Sequence, residues 1–224
     1  MKILFISNYS ELYGANRSLL TLLNHFNQKE QYEIRLFIPS KGGIVQELEK
    51  CNIKYDIIPY ISQLWYYKLQ MKYLVQPLLI LFTFLMLPYL VILVKKYNPD
   101  IIYSNTSAEN VGVIIAKILK IKHISHIREF MDLDHSAHFI GGNGWKKKYI
   151  HLSDGIIYVS QSVAKWVNQN ASMLPNQKVV YNGINMPCEI PHKCHWEHPR
   201  FGIVGILDEE KGQHVAIKYF QKLL

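Results

Sequence analysis

Cysteine is scarce in this sequence. Cys51, Cys188 and Cys194 are the only three among 224 residues, too few and too scattered for a disulfide framework, so a reducing compartment is expected. Carboxylates are also under-represented: 17 Asp and Glu stand against 25 Lys and Arg, leaving a net charge of +8. Such a balance is compatible with nucleic acid, an anionic membrane or phosphorylated small molecules as partners, and does not choose among them. The opening MKILFISNYS lacks the apolar core and small-residue cleavage site of a signal peptide, so a cytoplasmic start is expected. Only Gly14 follows the first apolar run, so neither GxGxxG nor GxxxxGK[ST] is present. That disfavours a nucleotide-dependent oxidoreductase or epimerase. There is no short-period repeat.

What is present is apolar surface in regular pieces. At 49% hydrophobic and 12% aromatic, the composition excludes a disordered or collagen-like chain. Short β-branched runs at residues 2–7, 33–39, 54–59, 100–104, 123–127, 155–159 and 178–181 read as strands. Between them lie helical patterns at about 14–26, 44–51, 108–119, 144–152 and 161–170. The first of these carries Leu19, Leu20, Leu22, Leu23 and Phe26 on one face. Strand and helix alternating this often predict an α/β fold, a Rossmann-like parallel sheet with helices on both faces. Ligands in such sheets bind beyond the carboxyl ends of the strands. The loops after Ser7, Ser104, Ile127 and Val159 are therefore the places to seek function.

Two stretches break the rhythm. Residues 74–94 contain no charge, are interrupted by Pro77 and Pro88, and end at Lys95 and Lys96. The run is long enough to cross a hydrocarbon core, but a single crossing would separate strands of one sheet. A helical hairpin bent at Pro77 or Pro88 and lying in a membrane interface is the favoured expectation, ahead of a helix pair buried on the sheet. Trp65, Tyr66, Tyr67 and Tyr73 on its flank suit an interface. Residues 185–199, rich in Pro, Cys and His, read as a linker between an N-terminal domain (1–184) and the start of a second α/β domain (200–224). That domain offers one strand, 200–204, and one helix from about Glu209, and looks truncated.

Three clusters have plainer readings. Asp132 and Asp134 form an Asp-x-Asp pair able to hold a divalent metal, but the spacing arises often by chance. Cys188, His192, Cys194, His195 and His198 include zinc-type ligands at no usual finger spacing. Trp145-Lys146-Lys147-Lys148-Tyr149 is a basic patch with aromatic flanks, a solvated helix face or a contact for anionic lipid.

Several segments, taken in order, resemble the retaining family 4 glycosyltransferases of GT-B architecture, two facing Rossmann-like domains. Tyr13-Gly14-Ala15-Asn16-Arg17 is similar to that family's Gly-Gly-Ala-Glu-Arg segment, departing at Tyr13 and Asn16. Pro99-Asp100-Ile101-Ile102 resembles its Pro-Asp strand entry. His126-Ile127-Arg128-Glu129-Phe130 resembles a His-x-Arg-Glu-Phe strand end. Tyr158-Val159-Ser160 and Asn182-Gly183-Ile184 match two further segments, and Gly205 with Lys211-Gly212 resembles the start of the donor domain, Ile206 standing where Arg is usual.

The resemblance implies the first half of a GT-B enzyme, moving a sugar from a nucleotide-sugar donor to a lipid-linked or glycan acceptor in bacterial cell-surface synthesis. It implies no cofactor and no metal, because helix dipoles and basic side chains stabilise the leaving diphosphate. Its expected partners are the donor, the acceptor and the inner membrane surface, with no nucleic acid. The expected location is cytoplasmic and peripheral to the membrane. His126, Arg128 and Glu129, three polar residues at one strand end, are the candidate catalytic residues. Gly14, Ala15, Asn105, Ser160, Asn182, Gly183 and, by resemblance, the phosphate-binding Lys211 are the candidate substrate-binding residues. The alternative is a non-catalytic membrane-associated module or an inactive fragment.

Overall fold

A computed structural model describes residues 1–60, 64–66, 72–130, 137–139, 142–169, 173–183, 201–205, 207 and 212–221. Side chains are described for all of these except 64–66, 72–77, 79–80, 137–139 and 142–143. The chain divides into two compact units, Met1–Gly183 and Ile184–Leu224.

The first unit is built as β1 (Lys2–Ile6), α1 (Gly14–Asn27), β2 (Glu33–Ile38), α2 (Ile44–Lys50), β3 (Tyr55–Ile57), β4 (Leu64–Tyr66), α3 (Lys72–Tyr97) and β5 (Ile101–Ser104). It continues with α4 (Val111–Leu119), β6 (Lys122–Ile127), β7 (Ala137–Phe139), α5 (Gly142–His151), β8 (Gly155–Tyr158), α6 (Gln161–Val167) and β9 (Gln177–Val179). Among the described residues seven strands form one sheet in the order β3-β2-β1-β5-β6-β8-β9, every pair parallel. This is the predicted Rossmann-like sheet. Its order reverses direction between β1 and β5, and the loops leaving those two strands diverge there to open a crevice.

Alternation along the strands sorts the core into two layers. Ile3 and Phe5 of β1 and Leu36 and Ile38 of β2 pack beneath α1 and α2 through Leu19, Leu23, Ile44 and Leu48. Leu4, Ile6 and Ile102 point the other way, against Leu90 and Val94 of α3 and Val111 and Ile115 of α4. Farther along that second face Ile156 and Tyr158 meet Ile150 of α5 and Val163 and Val167 of α6. Right-handed crossovers produce this division, since moving from β1 toward β3 and from β5 toward β9 winds the helices onto opposite faces.

Three expectations are corrected. Residues 72–97 form one continuous helix rather than a hairpin bent at Pro77 or Pro88. Each proline removes one backbone hydrogen bond, but beyond Pro88 the helix is held by Leu90, Val94 and neighbouring apolar side chains against the core. Among the described residues no helix is long and apolar enough to cross a membrane. Second, residues 201–205 form no strand and are exposed, and among the described residues of the second unit there is no strand for them to pair with. Third, the helix expected from 108 begins at Val111, because Thr106 and Glu109 side chains accept the Ala108 and Gly112 amides and hold the preceding loop in another shape. An unexpected antiparallel ribbon joins β4 to β7, with Trp65 opposite His138.

In the second unit α7 spans Gln213–Phe220, with none of its residues buried. It starts after Gly212, whose φ of +69° favours glycine.

Candidate functional site

The carboxyl edge of the sheet is stitched together by short polar side chains. Ser7, at the end of β1, places its hydroxyl 2.7 Å from Asn16 Oδ1. The fully buried Asn16 donates its amide to the carbonyls of Tyr9, at 2.9 Å, and Glu11, at 2.8 Å. Asn16 thus holds residues 8–12 as an arch over the start of α1. A carboxylate there has no N–H to give those carbonyls, so the departure from the family's Glu at this position has a structural reason. Tyr13, the residue before α1, makes no side-chain cap. A Cβ built at Gly14 meets nothing within 4 Å, and the Ala15 and Asn16 amides at the start of α1 face the Tyr9 phenol oxygen.

Asn105, buried after β5, reaches across the crevice. Its backbone amide donates to Ile6 O at 2.9 Å, and its side chain donates to Ala15 O at 3.3 Å. Its own carbonyl and Oδ1 accept from Arg128 Nε at 3.2 and 3.0 Å. Arg128 is the hub of this edge. Its Nη1 donates to Ser18 Oγ and to Asn182 Oδ1, both at 2.8 Å, and Ser18 Oγ donates to that same Asn182 oxygen at 2.9 Å. One guanidinium therefore ties together β6, α1, the loop after β5 and the segment leaving β9. Burial pushes the Arg128 pKa below its ordinary value, and the neighbouring Tyr103 and Glu129 oppose that shift.

Glu129 turns the other way and forms no ion pair with Arg128. Its Oε1 accepts from Ser107 N at 2.9 Å and Ser107 Oγ at 2.6 Å. Tyr9 is raised to about 12, first by burial and then by the Glu129 charge, which places this carboxylate beside the arch.

His126 shares the α1 side of the sheet with Arg128, two residues on. Its Nδ1 contacts the Tyr103 hydroxyl, which itself accepts a hydrogen bond from Arg128. Tyr103 thus sits between the imidazole and the guanidinium. The other ring nitrogen, Nε2, is buried and has no partner among the described residues. Burial, and then the Arg128 charge, lower His126 to about 3, so the ring is neutral. It lines a cavity of about 540 Å³ between α1 and the sheet, together with Arg128, Ser18 and Asn182.

The predicted residues thus divide. His126, Arg128, Asn105, Ala15 and Asn182 are brought together, with Gly14 at the rim and Glu129 joined through Ser107. Gly183 is exposed beside Asn182. Ser160 caps α6, accepting Val163 N at 3.2 Å. Lys211, Ile206, the Asp132–Asp134 pair and the cluster from Cys188 to His198 lie outside the described residues. Among the described residues no three His, Cys, Asp or Glu converge on a metal position. Sequence reasoning missed Ser18, Tyr103 and Ser107. The polar run after Ser104, from Asn105 to Asn110, was the available signal for Ser107.

The sequence profile of Glycosyltransferase Family 4 matches residues 13–186. Among solved structures the fold is similar to Anabaena Alr3699/HepE in complex with UDP, with a TM-score of 0.58 and 19% identity over 83% of this chain and 45% of that one. It is also similar to the lipopolysaccharide outer core galactosyltransferase WaaB, with a TM-score of 0.57 and 17% identity over 85% and 48%. A UDP-GlcNAc 2-epimerase from Neisseria meningitidis shares the fold too, at 0.52 and 10% over 80% and 45%. The fold by itself therefore does not select transfer over epimerisation. This chain spans just under half the length of these structures. No curated protein sequence matches it.

Proposed function

The chain belongs to glycosyltransferase family 4, and from that premise we propose that it is the acceptor-side half of a retaining glycosyltransferase making a bacterial cell-surface glycan. In this reading a sugar passes from a nucleotide-sugar donor to a lipid-linked or polysaccharide acceptor at the inner face of the cell membrane. One observation carries it: within the family-matched span, α1, the loop after β5 and the segment leaving β9 converge on Arg128 at the switch point where such sheets place ligands. The solved complex of a fold relative with UDP-glucose supports the nucleotide-sugar donor. The exposed apolar side chains of α3 support the membrane location.

The chemistry needs two things, orientation of the acceptor hydroxyl and stabilisation of the departing diphosphate. Arg128 serves the first as a positioning residue, because its hydrogen bonds set the spacing of the loops that form the acceptor wall. The amide end of α1 serves the second once the Tyr9 phenol gives way to the diphosphate, since a helix N-terminus favours an anion. Lys211 would add a cation. Neither a metal nor a cofactor enters this scheme. Residues 1–224 alone are expected to turn over little substrate.

The test is transfer of labelled sugar to a membrane lipid extract by the longest polypeptide that the gene encodes. Arg128→Ala should lower turnover about 10²-fold while the protein stays folded. Unchanged turnover in that variant would remove the β6 end from the site.

A further inference from the structure

The helices α3 to α6 form the outer layer on one face of the sheet, and the layer is unusual in charge. These four helices carry eight lysines and no carboxylate. Their outward side chains are unusual too, because a surface helix ordinarily turns a polar stripe to water. On α3, Leu78, Leu81, Leu85, Tyr89 and Ile92 follow helical spacing and are exposed, Leu81 by 54%, Leu85 by 68% and Ile92 by 65%. Phe84, on another side of the same turn, is 66% exposed. On α5 the outward stripe is Trp145, Lys148, Tyr149 and then Leu152, at spacings of three, four and seven. Trp145 is 56% exposed, with Lys148 Nζ 5.3 Å from its ring.

We propose that the outer surface of α3 and α5 docks on an anionic lipid bilayer, α3 supplying apolar insertion and α5 an interfacial Trp-Lys-Tyr stripe. Three contacts in one layer point the same way. Leu, Phe and Ile side chains gain by entering hydrocarbon. Trp and Tyr favour the headgroup level. Lys147 and Lys148, on a helix that carries no carboxylate, are drawn to anionic headgroups. A second copy is a poorer occupant, because a two-fold interface would set this lysine-rich layer against itself.

The topology also orients the docked protein. α3 leads into β5 and α5 into β8, whose starts lie at the amino edge, so each helix runs back from the carboxyl side of the sheet. The strands just before them in the chain, β4 and β7, pair with each other. The residues of α3 that pack on the core, Leu90 and Val94, lie toward its far end, where β5 begins. Its more exposed half therefore lies toward the edge that carries Arg128. This deepens the transferase reading and rests on it for its purpose, since a cleft held at the bilayer suits an acceptor anchored there. The surface itself rests only on exposure and charge.

The experiment is co-sedimentation of the chain with vesicles of phosphatidylcholine alone and of equal parts phosphatidylcholine and phosphatidylglycerol. Partition into the anionic vesicles should be about tenfold higher and should fall with added salt. Lys147→Gln with Lys148→Gln should reduce the anionic partition several-fold and leave the neutral partition unchanged. Leu81→Asp with Leu85→Asp should reduce both. Since these side chains are exposed, thermal melts should show all variants folded. Equal partition into the two vesicle types, no response to the lysine changes, or a concentration-dependent dimer that sediments with neither would each overturn the proposal. Transfer of sugar to a water-soluble acceptor by the full polypeptide separates the two readings. Vesicle binding without transfer leaves the docking surface standing and removes the enzyme; transfer without vesicle binding does the reverse.

Discussion

Two histidines three residues apart on β6 show how differently one strand treats the same side chain. His123 points toward α4 and has both ring nitrogens engaged, Nε2 with Ser104 Oγ at 2.8 Å and Nδ1 with Ser153 Oγ at 2.9 Å. His126 points toward α1, has one nitrogen on Tyr103, and leaves the other without a partner beside a cavity. Burial neutralises both, His123 to about 4 and His126 to about 3. The satisfied histidine belongs to the architecture, whereas the unsatisfied one keeps a ring nitrogen for something else. Burial alone does not separate a structural residue from a candidate functional one; the completeness of its hydrogen bonding does.

Acid should break both halves of this comparison at once, and it carries the largest expected effect. Each ring has a folded pKa below its unfolded 6.5. The unfolded chain therefore binds protons first, and stability falls as pH drops from 6.5 toward 4, by about 3 kcal/mol or more per histidine. Melting temperature measured across that window should fall steeply, and His126→Phe should flatten the fall. A flat profile in the wild-type chain would mean that neither ring is buried neutral.

Removing the satisfied ring should cost more than removing the other. His123→Ala strands Ser104 and Ser153 and opens a cavity beneath α4, a loss of about 3–4 kcal/mol by denaturant unfolding. His126→Phe keeps the volume and removes only the imidazole partner of the Tyr103 hydroxyl, a loss under about 1 kcal/mol. Equal losses would erase the distinction.

Glu109 sharpens the contrast from the opposite direction. It is buried near His123, and burial raises its pKa to about 6 from 4.5. Its folded value lies above its unfolded one, so the stability associated with the protonated form is lost as pH rises from 4.5 through 6. Glu109→Gln, which keeps an acceptor for the Gly112 amide, should gain about 2 kcal/mol at pH 8 and little at pH 4. No gain at pH 8 would mean that the carboxylate finds compensation in place.

The smallest effect belongs to the exposed end of the Arg128 hub. Asn182→Ala removes an acceptor shared by Ser18 and Arg128, and should cost under about 1 kcal/mol of stability. If the hub sets the cleft, turnover in the full polypeptide should fall more than stability, with the change in kcat rather than KM.

Much of the fold was legible because it rests on periodicity. Apolar pairs such as Ile3–Phe5 and Leu36–Ile38, separated by helical stretches such as Leu19–Leu23, leave a parallel sheet as the simplest way to bury both. The edge carrying Arg128 was legible for the same reason, since loops after parallel strands meet on one side. The roles at that edge were less so. Asn105 and Ser160 read as substrate contacts, but each spends its polar atoms inside the protein, Asn105 on Ala15 and Arg128, Ser160 on the Val163 amide. A side chain's partners come from distant segments, and no local pattern encodes them.

Sequence by itself determined the α/β class, the order of strands and helices, the excess of positive charge and the apolar run at 74–94. These depend on composition and on spacing between near neighbours. Only the tertiary structure decided that this run is one helix with an inner edge on the core and an outer face uncovered. It also decided that β4 pairs with β7 across more than seventy residues and that His123 and His126 end on opposite faces with different fates. Each of these depends on which surfaces meet after the chain has folded, and burial and hydrogen-bond satisfaction are properties of that meeting.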